Sequence, residues 1–329
     1  MDERMDTLSP TSTATAAPRR EPAAFPLFVS AGDILTDLVR ADGSHWTSHP
    51  GGSHWTSHPG GAGWNVARAV ARLGVPTAFA GAIGTDCFSD ELWRASEAAG
   101  LDLRFLQRVD HAPLLAIVHQ TRPPAYFFIG EASADLAFDP ESLPEGWMGG
   151  VRWAHFGGIS LARAPLSATL ATLAADLRAH GVQISFDPNY RNLMEHGYRP
   201  MLETMASLAH LIKVSDEDLR CLFGTDEDAA LETLHTMNPE ATVLVTRGSG
   251  PATLIAPGET IAAMPPRVEA VDTVGAGDAS IGGLLFSLMR RPERGWRDHL
   301  TFALAAGAAA CRHAGAHSPT LDEIVALLQ

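Results

Sequence analysis

Cysteine is scarce in this chain. Cys87, Cys221 and Cys311 are its only three, odd in number and far apart. That excludes a disulfide framework and gives no zinc-ligand spacing, so a reducing, cytoplasmic setting is expected. Basic charge is also in short supply, with 24 Lys and Arg against 38 Asp and Glu and a formal net charge of −14. A nucleic-acid groove needs a clustered basic surface, which this balance argues against. A phosphate ligand is still compatible, because backbone N–H groups and a metal ion can hold one. Apolar runs long enough to span a bilayer are missing as well.

What remains is ordinary for a globular enzyme, 46% hydrophobic and 19% charged over 329 residues. Residues 1–24 are rich in Ser, Thr, Ala and Pro without periodic hydrophobicity and read as a disordered tail. Arg19 and Arg20 are not expected to begin an export signal. EPAAFPLFVSAGD follows them, with two prolines, no extended apolar segment and no small-residue cleavage site.

After the tail, FPLFVSAGD reads as a buried strand. GWNVARAVARLG (63–74) has helical spacing and stops at Gly74, PTAFAGAIG is a strand, and FSDELWRASEAAG is a helix ending at Gly100. From 151 onward WAHFGG, VQISFDP, HLIKVS and TVLVTRG are strands, alternating with helices around 165–180, 199–209 and 226–237. TLIA and TIAAM form a hairpin, and helices follow near 276–290, 296–313 and 320–328. Such alternation predicts a three-layer α/β/α fold with a mostly parallel central sheet. Short strands within about 38–58 and 103–131 do not fit that layer and are expected to form a small projecting sheet, a natural lid.

SHWTSHPGG occurs twice without a gap, at 44–52 and 53–61. Two nine-residue copies cannot make a solenoid. They bring four histidines, His45, His49, His54 and His58, by simple copying, so a lengthened lid loop is expected rather than a metal site.

The strongest chemical signal is VDTVGAGDASIGGLLFSLM (271–289). Gly275, Ala276 and Gly277 are small residues directly before an amphipathic helix. They let backbone approach a ligand and aim N–H groups at one spot, where the helix dipole favours an anion such as a transferring phosphoryl group. Asp278 in the first turn could take the proton of an attacking hydroxyl. It could also merely cap the helix, since Asp is favoured there. A second Gly-rich helix start, PGGAGWNVARAVARLG (59–74), allows close backbone approach at Gly60 and Gly61. Asn65 there offers both a donor and an acceptor.

DTVGAGD resembles the C-terminal signature of the ribokinase-like (PfkB) carbohydrate kinases, and PGGAGWN resembles their N-terminal one. The resemblance implies an ATP-dependent sugar kinase over residues 25–329, with Asp278 as catalytic base and the amides of Gly275, Ala276 and Gly277 as anion hole. It implies sugar contacts from Asp37, Gly60, Gly61 and Asn65. VTRGSGPATL (245–254) is similar to the family's nucleotide-side turn, implying Thr246, Gly248 and Gly250 near ATP. AAGAAACRHAGA (305–316) resembles the helix walling the adenine pocket. Asp272 is implied beside a monovalent cation such as K+. The family's N-x-x-E motif finds no glutamate in FDPNYRN (186–192), so Mg2+ is expected chiefly on the ATP phosphates, with its protein ligands unassigned.

FDPNYR, LIKVSDEDL (211–219), HFGGISLA (155–162) and AYFFIGEASADL (125–136) resemble the fructokinase branch, with Arg191 as a further substrate residue. The 2-keto-3-deoxygluconate kinases carry a similar D-x-N-Y-R string and are the alternative, because an Arg would suit a carboxylate. A non-catalytic sugar-binding regulator on the same scaffold is a third reading. A retained Asp278 with an intact G-A-G favours the enzyme. Many family members dimerise through the lid sheet, which makes a homodimer the expectation.

Overall fold

The computed structural model describes residues 24–40, 54–121, 124–194 and 197–329. The expected tail therefore lies outside the described residues except for Ala24, as does the first SHWTSHPGG copy with His45 and His49. The strands are β1 (Phe28–Ala31), β2 (Leu35–Arg40), β3 (Trp55–Gly60), β4 (Thr77–Ile83), β5 (Leu106–Arg108), β6 (Leu115–Thr121), β7 (Pro124–Ile129), β8 (Trp153–Gly157), β9 (Gln183–Asp187), β10 (Leu211–Ser215), β11 (Thr242–Thr246), β12 (Ala252–Ala256) and β13 (Glu259–Ala263). The α-helices are α1 (Ala62–Arg72), α2 (Cys87–Ala98), α3 (Leu166–Ala179), α4 (Arg199–Leu208), α5 (Asp216–Phe223), α6 (Glu227–Met237), α7 (Ala276–Arg290), α8 (Trp296–Ala310) and α9 (Leu321–Val325).

Nine strands form one sheet in the order β13-β12-β11-β10-β9-β8-β1-β4-β5. It is parallel from β11 to β5, and β12 and β13 add an antiparallel edge. Central strands of such a sheet are covered on both faces and so read as continuous apolar runs. All seven residues of β4, TAFAGAI, are buried. Alternate side chains pass to opposite faces. Val29, Ile212, Val243 and Val245 join a cluster with Leu170 of α3, Met205 of α4 and Leu234 of α6. Phe28, Leu211 and Leu244 join Val66 of α1, Leu284 of α7 and Phe302 of α8. The result is the three-layer arrangement anticipated from the strand and helix alternation.

A second, four-stranded sheet runs β3-β2-β6-β7. The second SHWTSHPGG copy supplies its edge strand β3, paired antiparallel to β2 with Asp37 opposite His58. One part of the expected small sheet belongs elsewhere. Leu106–Arg108, within the 103–131 stretch, pairs parallel with β4 and extends the large sheet, with Phe105 and Leu106 buried in two separate core clusters. Helix α5 also lies beyond the sequence expectations. Ser215 caps it in a capping box with Asp218, whose carboxylate returns to the Ser215 N–H.

Small residues set how closely the helices approach. A Cβ on Gly282 would lie 2.9 Å from the Ala69 Cβ on α1, and one on Gly283 2.6 Å from the Ala306 Cβ on α8. Gly307 similarly admits Ser280 and Ala276. The small-residue stripe at 305–310 is thus the surface against which α7 packs.

Candidate active site

The carboxyl ends of the parallel strands are the usual ligand edge of an open α/β sheet. Asp33 follows β1 there, Asp187 ends β9, Ser215 ends β10, and Thr246 ends β11 in register with Ser215. Over this edge α7 begins. Gly275 precedes it in the left-handed conformation at φ 75°, and a Cβ there would lie 2.7 Å from the Ala316 Cβ. Both facts restrict the position to glycine. Ala276 N–H donates to the Thr273 carbonyl at 3.2 Å, whereas the N–H groups of Gly277 and Asp278 find no acceptor among the described residues.

Asp278 is tied to the N-terminal motif. Asn65 Nδ2 of α1 donates to its Oδ2 at 2.9 Å, joining residues 213 apart in sequence. Burial raises the Asp278 pKa above the ordinary carboxylate value, and the Asn65 bond, Lys213 and Arg191 offset part of that. The Arg191 guanidinium lies within electrostatic reach of both Asp278 and Asp37. Its own hydrogen bonds go to Asn189 Oδ1 and the Tyr190 carbonyl, each at 2.7 Å, and to the Asn189 carbonyl at 3.2 Å.

On the small-sheet side, glycine is needed for a different reason. A Cβ on Gly60 would lie 2.2 Å from Asp37 Oδ2, and one on Gly61 2.7 Å from the Asp33 carbonyl oxygen. The two glycines let the start of α1 lie against the β1–β2 segment. Asp37 accepts no hydrogen bond among the described residues, and burial pushes its pKa up to about 6. Asp33 is likewise pushed up to about 6 by burial, with Asp135 adding to the shift, and it accepts the Ser160 N–H at 3.1 Å.

The structure adds residues to which the sequence reading gave no role. Lys213, the only lysine in the chain, is 5% exposed and pairs with Asp187 at 2.9 Å. Burial opposes its charge, but Asp187 and Asp218 together hold the ammonium above its usual pKa. A Cβ on Gly277 would sit 3.1 Å from Lys213 Nζ, so the ammonium lies directly under the G-A-G turn. Asp218 accepts the Tyr190 N–H at 2.7 Å, which ties the FDPNYRN loop to α5. The signal available for Asp218 was the serine followed by three acidic residues after β10, a helix-start pattern.

The remaining expected residues sit farther along the edge. Thr246 ends β11, with Gly248 and Gly250 in the turn to β12. Arg247 fixes that turn by pairing with Glu227 and donating to the Pro251 carbonyl at 2.7 Å. The polar contacts of Arg247 in this turn go to Glu227, Pro251 and Thr253, and none goes to Asp278. Asp272 accepts from the N–H groups of Val274 at 3.1 Å and Gly315 at 2.8 Å, and so clamps two loops beside the turn.

Comparison with known proteins gives the family and the fold. The family model for pfkB family carbohydrate kinases matches residues 26–323. The chain belongs to that family. This pfkB kinase is 32% identical to a fructokinase from Escherichia coli over 296 residues, 87% of this chain and 93% of the relative. It superposes on a fructokinase from Xylella fastidiosa with bound ATP at a TM-score of 0.82 and 28% identity, covering 92% of this chain and 98% of that one. A fructokinase variant from Vibrio cholerae O395 holding fructose, ADP and a potassium ion gives a TM-score of 0.78 at 26% identity, covering 94% and 100%. The pfkB chain is an ATP-dependent carbohydrate kinase with the ribokinase-like fold. Among its described residues no helix is long and apolar enough to cross a membrane.

Proposed function

We propose that this kinase is a fructokinase that transfers the γ-phosphate of ATP to a fructose hydroxyl, with Asp278 as general base. The observation that carries the reading is the Asn65–Asp278 hydrogen bond at 2.9 Å, which makes one site of the two motifs. Asp278 takes the hydroxyl proton as that oxygen attacks the γ-phosphorus, and the bond to the β–γ bridging oxygen breaks. A raised pKa makes the carboxylate a stronger base. The free N–H groups of Gly277 and Asp278, with the turn at Gly275 and Ala276 and the dipole of α7, stabilise charge on the phosphoryl oxygens. Asp37, Gly60, Gly61, Asn65 and Arg191 hold the sugar. Thr246, Gly248 and Gly250 hold the nucleotide.

Magnesium would fit beside the turn, where Asp187 at the end of β9 and Asp218 in the first turn of α5 would supply carboxylates. Both already accept protein hydrogen bonds, so they suit a water-coordinated ion held chiefly by ATP phosphates. It would neutralise phosphate charge. Potassium fits the loops that Asp272 clamps. The small sheet acts as a lid that excludes water from the reaction. It also carries exposed Trp55, Phe127 and Ile129, apolar surface suited to a homodimer contact. A cytoplasmic setting accords with the three free cysteines.

The test is ADP release with ATP, magnesium and a panel of sugars including fructose and 2-keto-3-deoxygluconate. Fructose is expected to give the highest kcat/KM. Asp278→Asn is expected to lower kcat by roughly 10²–10⁴-fold with ATP binding retained. Turnover of the keto-acid alone would replace fructose as substrate, and no turnover on any sugar would restore the regulator reading.

A further inference from the structure

The segment between α8 and α9 carries a side-chain cluster for which phosphoryl transfer has no use. His313 and His317 stack with ring centroids 3.8 Å apart and planes 24° from parallel. Their Nε2 atoms lie 3.0 Å and 3.4 Å from one atom, Glu323 Oε1, and His313 makes a hydrogen bond with it. His317 Nε2 is buried without a hydrogen-bond partner, because its approach to that oxygen lacks hydrogen-bond geometry. Glu323 is oriented from behind. Its Oε2 accepts from the Thr320 N–H at 2.7 Å and from Thr320 Oγ1 at 2.8 Å, which leaves Oε1 directed at the imidazoles.

We propose that His313, His317 and Glu323 form a binding site for a borderline divalent transition metal of the zinc class. One ligand atom from each residue lies within 4.8 Å of the other two. A tetrahedral zinc with bonds of about 2.0–2.1 Å places its ligands about 3.3 Å apart, and the observed separations of 3.0 Å and 3.4 Å bracket that edge. Two imidazoles and a carboxylate suit this metal class, with a fourth position left for water. The Thr320 contacts also fix the carboxylate in the way outer partners of metal ligands do.

The place of the site gives it a consequence. His313 and His317 flank Gly315, whose N–H holds Asp272, and Ala316, which packs on Gly275. A metal bridging this segment to α9 would brace the loop behind the phosphoryl-binding turn. The duplicated histidines at 45, 49, 54 and 58 are a separate set. Of the described pair, His58 Nε2 meets Thr56 Oγ1 at 2.8 Å.

The test titrates the metal-stripped full chain with Co2+, read by its tetrahedral absorption bands, and with Zn2+ by calorimetry. Parallel samples carry His313→Ala, His317→Ala, Glu323→Gln, or the four repeat histidines changed to Gln. Glu323→Gln keeps an acceptor for the capping box. Each cluster variant is expected to bind at least about 10-fold more weakly, as even outer partners of metal ligands cost 10–100-fold. The repeat variant should keep the tetrahedral spectrum. Wild-type affinity in the cluster variants, or loss of the spectrum in the repeat variant alone, overturns the proposal. Equal melting temperatures across the set separate a lost ligand from a lost fold.

Discussion

Asp37 and Asp187 approach the same site from different sheets, and burial pushes both up to about 6. Their surroundings differ. Asp187, at the end of β9, has the Lys213 ammonium at 2.9 Å and the Asn189 N–H at 3.1 Å. Asp37, on β2, has Arg191 only at electrostatic range and the bare backbone of Gly60 against its oxygen. The large sheet therefore presents charge already satisfied by the protein, while the small sheet presents a carboxylate with unused acceptor capacity. A buried pair keeps its shape in the absence of ligand. An unpaired buried carboxylate gains its hydrogen bonds when a polyol arrives.

The contrast can be broken most severely at Lys213. Lys213→Met leaves Asp187 buried without its partner and is expected to cost about 3–5 kcal/mol of stability, measured by urea unfolding. A loss below about 1 kcal/mol would mean that Asp187 simply protonates and that the pair is not what holds the strand ends.

Asp37→Asn should act in the opposite way, leaving the melting temperature close to wild type and raising the sugar KM by at least about 10-fold, from loss of one charge-assisted bond of about 1.5–3 kcal/mol. The sign of the pH effect sharpens the point. With ionised Asp37 holding the sugar as proposed, the wild-type KM should rise as pH falls through about 6. Stability follows the other sign. Between the unfolded value near 3.8 and the folded value near 6 the native state holds the extra proton, so this group favours the fold more as pH falls. KM measured from pH 5 to 8 should flatten in Asp37→Asn, and an unchanged slope would assign the titration elsewhere.

The smallest effect is expected from deleting residues 44–52. Strand β3 comes from the second copy, whose Trp55–Gly60 pairing with β2 is untouched. Kinase activity and melting temperature should stay near wild type, and loss of folding would show that the duplication is structural.

Local patterns carried much of this molecule. Continuous apolar runs such as TAFAGAI and the Gly-rich helix starts at 60–61 and 275–277 were legible, because each depends on neighbours within a few residues. Strand β5 was misplaced because three residues are too few to show a period, and only pairing beside β4 decides their sheet. The Asp187–Lys213–Asp218 group was invisible for a different reason. Its members sit at the end of β9, within β10 and in the first turn of α5 and meet only once β9 and β10 pair, so no spacing in the sequence marks them. Asn65 and Asp278 were named separately, but the bond between them is a product of α1 packing on Gly282.

The solitary lysine also gives the molecule a built-in reporter. Every other cationic side chain of fixed charge is an arginine, which amine-directed acylating reagents do not modify. Lys213 lies 5% exposed beneath the site, so its acylation requires the core strands to open. The rate of modification at that one residue, with and without nucleotide or sugar, would read how firmly ligands close the centre of the large sheet.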